Sequence, residues 1–204
     1  MFTSIQNYCD RLVRDFVKIP EERKERLEKI SNYILKKKLN NQPANLIYIC
    51  THNSRRSVFG QIWAKVASEY YNILNINTFS GGTEATTFNK NAISALERAG
   101  FKIKPLTFDI NAIYQVSYDD AKNPIECFSK VYNDPKNPGK GFAAIMTCSD
   151  AETNCPYIPR IDLKVGTSYD DPKAFDNTEL QNLKYDERCS QIALETLYAF
   201  SKIH

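Results

Sequence analysis

The chain has 204 residues, 42% of them hydrophobic and 25% charged, the make-up of an ordinary globular protein with one sizeable core. A formal net charge of +3, with Lys and Arg interspersed among acids, is too weak a basic footprint for a nucleic-acid binder. No apolar run approaches membrane-spanning length, and "MFTSIQNYCDRLVRDF" is charged where a signal peptide is apolar; the expected location is the cytoplasm, where the six cysteines stay reduced.

In chain order, "SIQNYCDRLVRDFV" places Ile5, Tyr8, Leu12 and Phe16 on one helical face. Pro20 then opens "PEERKERLEKISNYILKKK", with Leu27, Ile30 and Ile34 on one face, acids early and lysines late, as a helix dipole favours. Residues 1–44 are therefore expected to form a two-helix N-terminal extension, its apolar stripes packed on the rest of the chain or on a second copy in a homodimer. "LIYIC" is a short continuous apolar run of the kind that forms a central parallel strand. "SVFGQIWAKVASEYY" has helical periodicity, "ILNINTFS" reads as a second strand, and "NKNAISALERAGF" as a helix closed by Gly100. Residues 110–141, with "DDAKNP" and "NDPKNPGKG" around "IECFSKVY", read as a loop-rich insertion. "FAAIMTC" is another buried strand, and "DERCSQIALETLYAFSKI" a closing helix. Strands alternating with helices give an α/β domain, residues 45–204, with a mostly parallel sheet. Such sheets place their sites beyond the carboxyl ends of strands, where Cys50 and Cys148 both stand.

"CTHNSRRS" follows the first of these strands and precedes a helix. A loop in that position turns backbone N–H groups and the positive end of the helix dipole toward an anion, a field that also favours a thiolate at the strand end. Arg56 adds a planar fork matched to two oxygens of a tetrahedral oxyanion, and Ser57 could hydrogen-bond the sulfur. Together these make a nucleophile within an oxyanion cradle. A buried cysteine followed by an ordinary polar turn is the plainer reading of the spacing alone.

This stretch resembles the phosphate loop of the low-molecular-weight protein tyrosine phosphatase superfamily, which includes thioredoxin-coupled arsenate reductases. The likeness continues through "FSGGTEATTFNKNAISALERAGFKI" and resumes at "MTCSDAETNCP" and "YDDPKAF". It implies a single α/β domain with a four-stranded, mostly parallel sheet flanked by helices; the N-terminal helices and the insertion have no counterpart in the minimal family fold. It further implies Cys50 as nucleophile, Arg56 as oxyanion clamp, Asn53 as the residue that shapes the loop, and Ser57 as donor to the thiolate. Thr51, His52, Ser54 and Arg55 would contribute mainly backbone N–H groups. Two departures stand out. His52 takes the place of a usual glycine, making the loop conformationally costlier or more cationic. Arg55 stands where many members carry a second cysteine, so no disulfide can form inside the loop.

Cys148 and Cys155, flanking "SDAETN", match the redox pair of the arsenate reductases. On a helix these residues would stand about 10 Å apart, whereas a disulfide needs Cα atoms within about 7 Å. The turn-forming segment must therefore bend to close the bond. A chance pair of thiols is the alternative, and zinc lacks further suitably spaced ligands. Cys9, Cys127 and Cys189 read as passive thiols. Asp171, before Pro172, fits the family's Asp-Pro general acid, with Asp170 as fallback; from local pattern alone it reads equally well as the cap of a helical turn. Phe175 is the nearest aromatic after the Asp-Pro, a poor match to a phosphotyrosine grip. Asn53, Ser80 and Asp109 match a potassium site of some relatives, though Gln61 replaces its glutamate; no other metal is expected.

The leading expectation is thioredoxin-coupled reduction of arsenate to arsenite by a three-cysteine relay. Hydrolysis of phosphomonoesters through a phosphocysteine is the alternative, and a non-catalytic oxyanion-binding protein the third. The expected partners are a small oxyanion (phosphate, sulfate or arsenate) and thioredoxin, with no tightly bound cofactor, no nucleic acid and no membrane.

Overall fold

A computed structural model of the chain describes residues 1–154 and 157–203. The N-terminal segment forms α1 (Thr3–Leu12), a 3-10 turn (Val13–Lys18) and α2 (Glu21–Leu39). The first helix is thus shorter than its apolar stripe suggests, tightening before Pro20. The central sheet is parallel throughout. Its strands are β1 (Ala44–Cys50), β2 (Ile76–Gly82), β6 (Phe142–Met146) and β7 (Leu163–Gly166), in the order β2-β1-β6-β7. Between β1 and β2 lies α3 (Arg56–Tyr70); after β2 come α4 (Lys90–Arg98) and a small antiparallel sheet, β3 (Lys102–Pro105), β4 (Tyr114–Ser117) and β5 (Ile125–Cys127). A short α5 (Ser149–Asn154) follows β6, and α6 (Gln181–Ser201) closes the chain. The four-stranded parallel sheet flanked by helices is the fold class expected from the sequence.

Strand alternation divides the core. Leu46 and Tyr48 of β1, with Ala143 and Ile145 of β6, join a large cluster with Val58, Phe59 and Ile62 of α3 and Ile192 and Leu197 of α6. Ile47, Ile49, Phe142, Ala144 and Met146 face the other way, into a smaller cluster that holds Cys50, Cys148 and Ala151. Gly60 lets α3 approach β1 closely, since a Cβ there would lie 2.2 Å from the ring of Tyr48.

The N-terminal helices pack on this same chain. Ser31 Oγ donates to the carbonyl of Ala199 at 2.7 Å, and Leu27, Ile30 and Ile34 enter the large cluster. Arg23 donates to Glu195 and to the carbonyl of Thr167, its guanidinium lying over the ring of Tyr169. No helix among the described residues is long and apolar enough to cross a membrane.

Two regions differ from the sequence reading. Residues 110–141 carry β4 and β5, and bury Val116, Tyr118 and Cys127 in the large cluster. Strands of 4 and 3 residues are too short for alternation to show. The edge strand β7, four residues from a turn-rich stretch, escaped for the same reason.

Candidate active site

β1 brings Cys50 to the carboxyl end of the sheet, residues 51–55 turn, and α3 starts at Arg56. The carbonyls of this turn are engaged from outside it. Cys50 O accepts from Thr83 N at 3.1 Å, Thr51 O from Glu84 N at 2.8 Å, His52 O from Ser129 Oγ at 2.8 Å, and Ser54 O from Asn89 N at 3.0 Å. Among the described residues, the N–H groups of Thr51, His52, Asn53, Ser54 and Arg55 donate to no protein acceptor, and no side chain caps α3. Free N–H groups at a helix start, with the carbonyls tied back, suit a tetrahedral oxyanion. Gly82 allows this turn to sit on β2: a Cβ there would meet Thr51 O at 2.6 Å and Asn53 N at 2.9 Å.

The left-handed residue of the loop is Asn53, with φ 46, a conformation asparagine tolerates; His52 has no positive φ. The conformational cost expected from losing a glycine at His52 therefore does not arise. Asn53 is fully buried and uses both ends of its amide. Its Oδ1 accepts from Lys130 N at 2.9 Å, which turns Nδ2 toward Ser57 Oγ at 2.9 Å. Since Ser57 Oγ accepts that bond, its own hydrogen is left for Cys50 Sγ, 3.1 Å away. A serine donating to sulfur stabilises negative charge there.

Arg56 is buried; Nη1 donates to the carbonyl of Tyr169 at 2.8 Å and Nη2 to Asp171 Oδ2 at 2.6 Å, while Nε is a buried donor with no partner. An oxyanion in the cradle would satisfy it. Asp171 meets Arg56 with one oxygen and caps the Pro172–Phe175 turn with the other, accepting from Lys173 N at 3.0 Å. The capping geometry and the placement at the site thus coexist. Asp170 points into solvent beside Arg188 and does not join the site.

Arg55 does more than lend its backbone. Its side chain is buried, and Nε donates to Tyr185 Oη at 2.8 Å, which in turn donates to Asp176 Oδ1 at 2.7 Å. Burial, reinforced by Asp176, pushes the Tyr185 hydroxyl up, keeping it a neutral donor. Arg55 Nη2 also lies 3.6 Å from Asp176 and Nε 3.9 Å from Asp171, so this network ties the Asp171 segment to the loop. The sequence carries no local signal for Tyr185, Asp176 or Ser129, which reach the loop from distant elements.

Cys148 stands just past the end of β6, beside β1 in parallel register. Its Sγ accepts from Ala151 N at 3.3 Å and lies 3.5 Å from Thr51 Oγ1, which donates to Asp150 at 2.9 Å. Thr51 therefore links the loop to α5 through its side chain. Cys155 lies outside the described residues. His52 is partly exposed, 3.8 Å from Glu84. Ser54 Oγ donates to Thr87 O at 2.6 Å. Of the potassium candidates, Asn53 and Ser80 are buried, Ser80 Oγ donating to Gln61 Oε1 at 2.6 Å. Asp109 is exposed, and among the described residues no hydrogen bond joins it to either. Cys9, Cys127 and Cys189 are fully buried, and burial pushes each thiol up to about 12.

A strand-end cysteine, a turn of free N–H groups and an adjoining Arg and Asp thus stand together at the end of a four-stranded parallel sheet in an α/β fold. No family model matches the chain. It is 26% identical over 159 residues to an arsenate reductase of Bacillus licheniformis, covering 77% of this chain and 94% of that protein. It is 27% identical over 144 residues to arsenate reductase 1 of Staphylococcus epidermidis, covering 70% and 89%. A solved structure described as an arsenate reductase in the phosphate binding state matches the fold with a TM-score of 0.50 at 16% identity, covering 79% of this chain and 99% of that one. Sequence relatives and fold support the resemblance to the low-molecular-weight protein tyrosine phosphatase superfamily: the chain is similar to arsenate reductases in sequence and shares the fold of the solved one.

Proposed function

We propose that the protein reduces arsenate to arsenite through a relay of Cys50, Cys148 and Cys155, with thioredoxin as reductant. The Cys50 thiolate attacks arsenate, Arg56 and the loop N–H groups hold the remaining oxygens, and Asp171 gives its proton to the departing oxygen, which leaves as water. The Cys148 thiolate then attacks Cys50 sulfur; the electron pair of the S–As bond passes to arsenic, which leaves as arsenite, and a Cys50–Cys148 disulfide forms. Cys155 attacks Cys148 sulfur, releasing the Cys50 thiolate and forming a Cys148–Cys155 disulfide that a thioredoxin dithiol reduces.

The observation that carries this reading is the position of Cys148, a second strand-end thiol 3.5 Å from the hydroxyl of Thr51 in the Cys50 loop and in the same buried cluster as Cys50. Hydrolysis of a phosphocysteine uses water and needs no such thiol. Asp171 Oδ2 holds one arm of the Arg56 fork. An arriving oxyanion competes for that arm and frees the carboxyl to take up the proton it delivers. The test is an assay with arsenate, thioredoxin, thioredoxin reductase and NADPH, run beside aryl-phosphate hydrolysis. Arsenate-dependent NADPH oxidation supports the relay. Aryl-phosphate turnover without it makes the protein a phosphatase instead.

A further inference from the structure

We propose that Ser129, on the segment joining β5 to β6, is a positioning residue for the Cys50 loop, making the insertion a working part of the site; this rests on reading that loop as the oxyanion site. Ser129 is 1% exposed, and its hydroxyl joins two chain segments, donating to His52 O at 2.8 Å and accepting from Thr86 N at 2.7 Å. Its own backbone is held on both sides by one side chain: Asn111 Nδ2 donates to Ser129 O at 2.7 Å, and Ser129 N donates to Asn111 Oδ1 at 3.2 Å. The next residue extends the contact. Lys130 O accepts from Gly82 N at 2.8 Å and Tyr132 N donates to Gly82 O at 2.9 Å, so the segment lies along the end of β2.

From this fixed segment, Lys130 N donates to Asn53 Oδ1, and its direction sets everything inward of it. Had Asn53 been turned about, its oxygen would face Ser57, and the serine hydrogen would be drawn to the amide instead of the sulfur. The chain of bonds from Lys130 N through Asn53 and Ser57 to Cys50 thus runs one way because the insertion supplies a donor at its outer end. Ser129 contributes the second hold: as the nearer of two donors to His52 O, at 2.8 Å against 3.2 Å for Thr86 Oγ1, it keeps that carbonyl out of the space the loop N–H groups share. A site whose donors are already aimed binds an anion without first ordering its backbone.

The experiment titrates full-length wild type and Ser129→Ala with inorganic phosphate while mass spectrometry follows alkylation of Cys50, well below the melting midpoint of either protein. The phosphate concentration that halves Cys50 labelling should rise about fivefold in Ser129→Ala, the effect of one hydrogen bond. Asn111→Ala, at a partly exposed position, should shift it in the same direction by a smaller factor, and it decides the matter should Ser129→Ala fail to fold. A lower melting midpoint with unchanged phosphate protection would make Ser129 an ordinary structural residue and overturn the proposal, leaving the oxyanion site standing. Absence of phosphate protection in wild type would overturn the reading of the loop itself, and the role of Ser129 with it.

Discussion

The ends of β1 and β6 lie side by side with a buried cysteine at each, Cys50 closing β1 at 3% exposure and Cys148 just past β6 at 1%. The segments beyond the two thiols differ. After Cys50 come a turn with three carbonyls tied to outside donors and a helix of 15 residues, buried over its first three turns apart from Lys65. After Cys148 comes a helix of 6 residues, in which Ser149 and Asp150 are exposed and Ala151 is buried. Neighbouring strand ends thus hold one thiol before a turn tied to outside donors and one before a short helix. Anion binding asks for the first, because donors must be aimed before the ligand arrives. Disulfide exchange asks something else, that sulfur travel to reach sulfur.

Substitutions can separate the two ends, and the largest effect falls on the Cys148 end. Cys148→Ser should abolish steady-state arsenate reduction while leaving phosphate protection of Cys50 within about twofold, because the cradle makes no use of that sulfur. Cys155→Ser should stop after one turnover with a Cys50–Cys148 disulfide visible in non-reduced peptides. Normal thioredoxin-dependent turnover in either variant would dissolve the distinction between the two strand ends.

At the anchored end, Arg56→Lys should lower arsenate turnover and phosphate protection together, turnover by about 10²–10³-fold, since an ammonium cannot grip two oxygens in a plane. A loss confined to turnover would place Arg56 outside the binding site. Asp171→Asn is expected to cost about 10²-fold in the first chemical step, measured by single-turnover trapping of the Cys50 adduct, with phosphate protection retained or improved because one competitor for the Arg56 fork has lost its charge.

The smallest effect concerns the three thiols belonging to neither end. Cys9, Cys127 and Cys189 titrate near 9 in an unfolded chain and about 12 in the folded one. The folded state therefore holds more protons in that window. Their contribution is complete below about pH 9 and is lost progressively as pH rises toward 12. Urea midpoints measured across that range should fall less steeply in a Cys9→Ala, Cys127→Ala, Cys189→Ala triple variant than in wild type, with arsenate turnover at neutral pH unchanged within about twofold if the variant stays folded. An equal slope would mean these thiols are reached by water.

What the sequence determined by itself is what local repetition and short spacing encode. Continuous apolar runs revealed β1 and β6, 3.6-residue stripes revealed the long helices, and a strand ending on Cys50 with Arg56 and Ser57 beyond it marked the cradle, because strand, turn and helix start lie within eight residues of one another. The tertiary structure decided which distant polar groups complete it. Lys130 meets Asn53 across 77 positions, Asp171 meets Arg56 across 115, and Tyr185 meets Arg55 across 130. A polar side chain held by one long-range hydrogen bond leaves no periodicity and no composition bias in its neighbours, so nothing around Ser129 or Tyr185 distinguishes it from a solvated residue until folding brings its partner alongside. The same holds for β4, β5 and β7, whose pairing comes from the strands beside them and not from alternation along their own few residues.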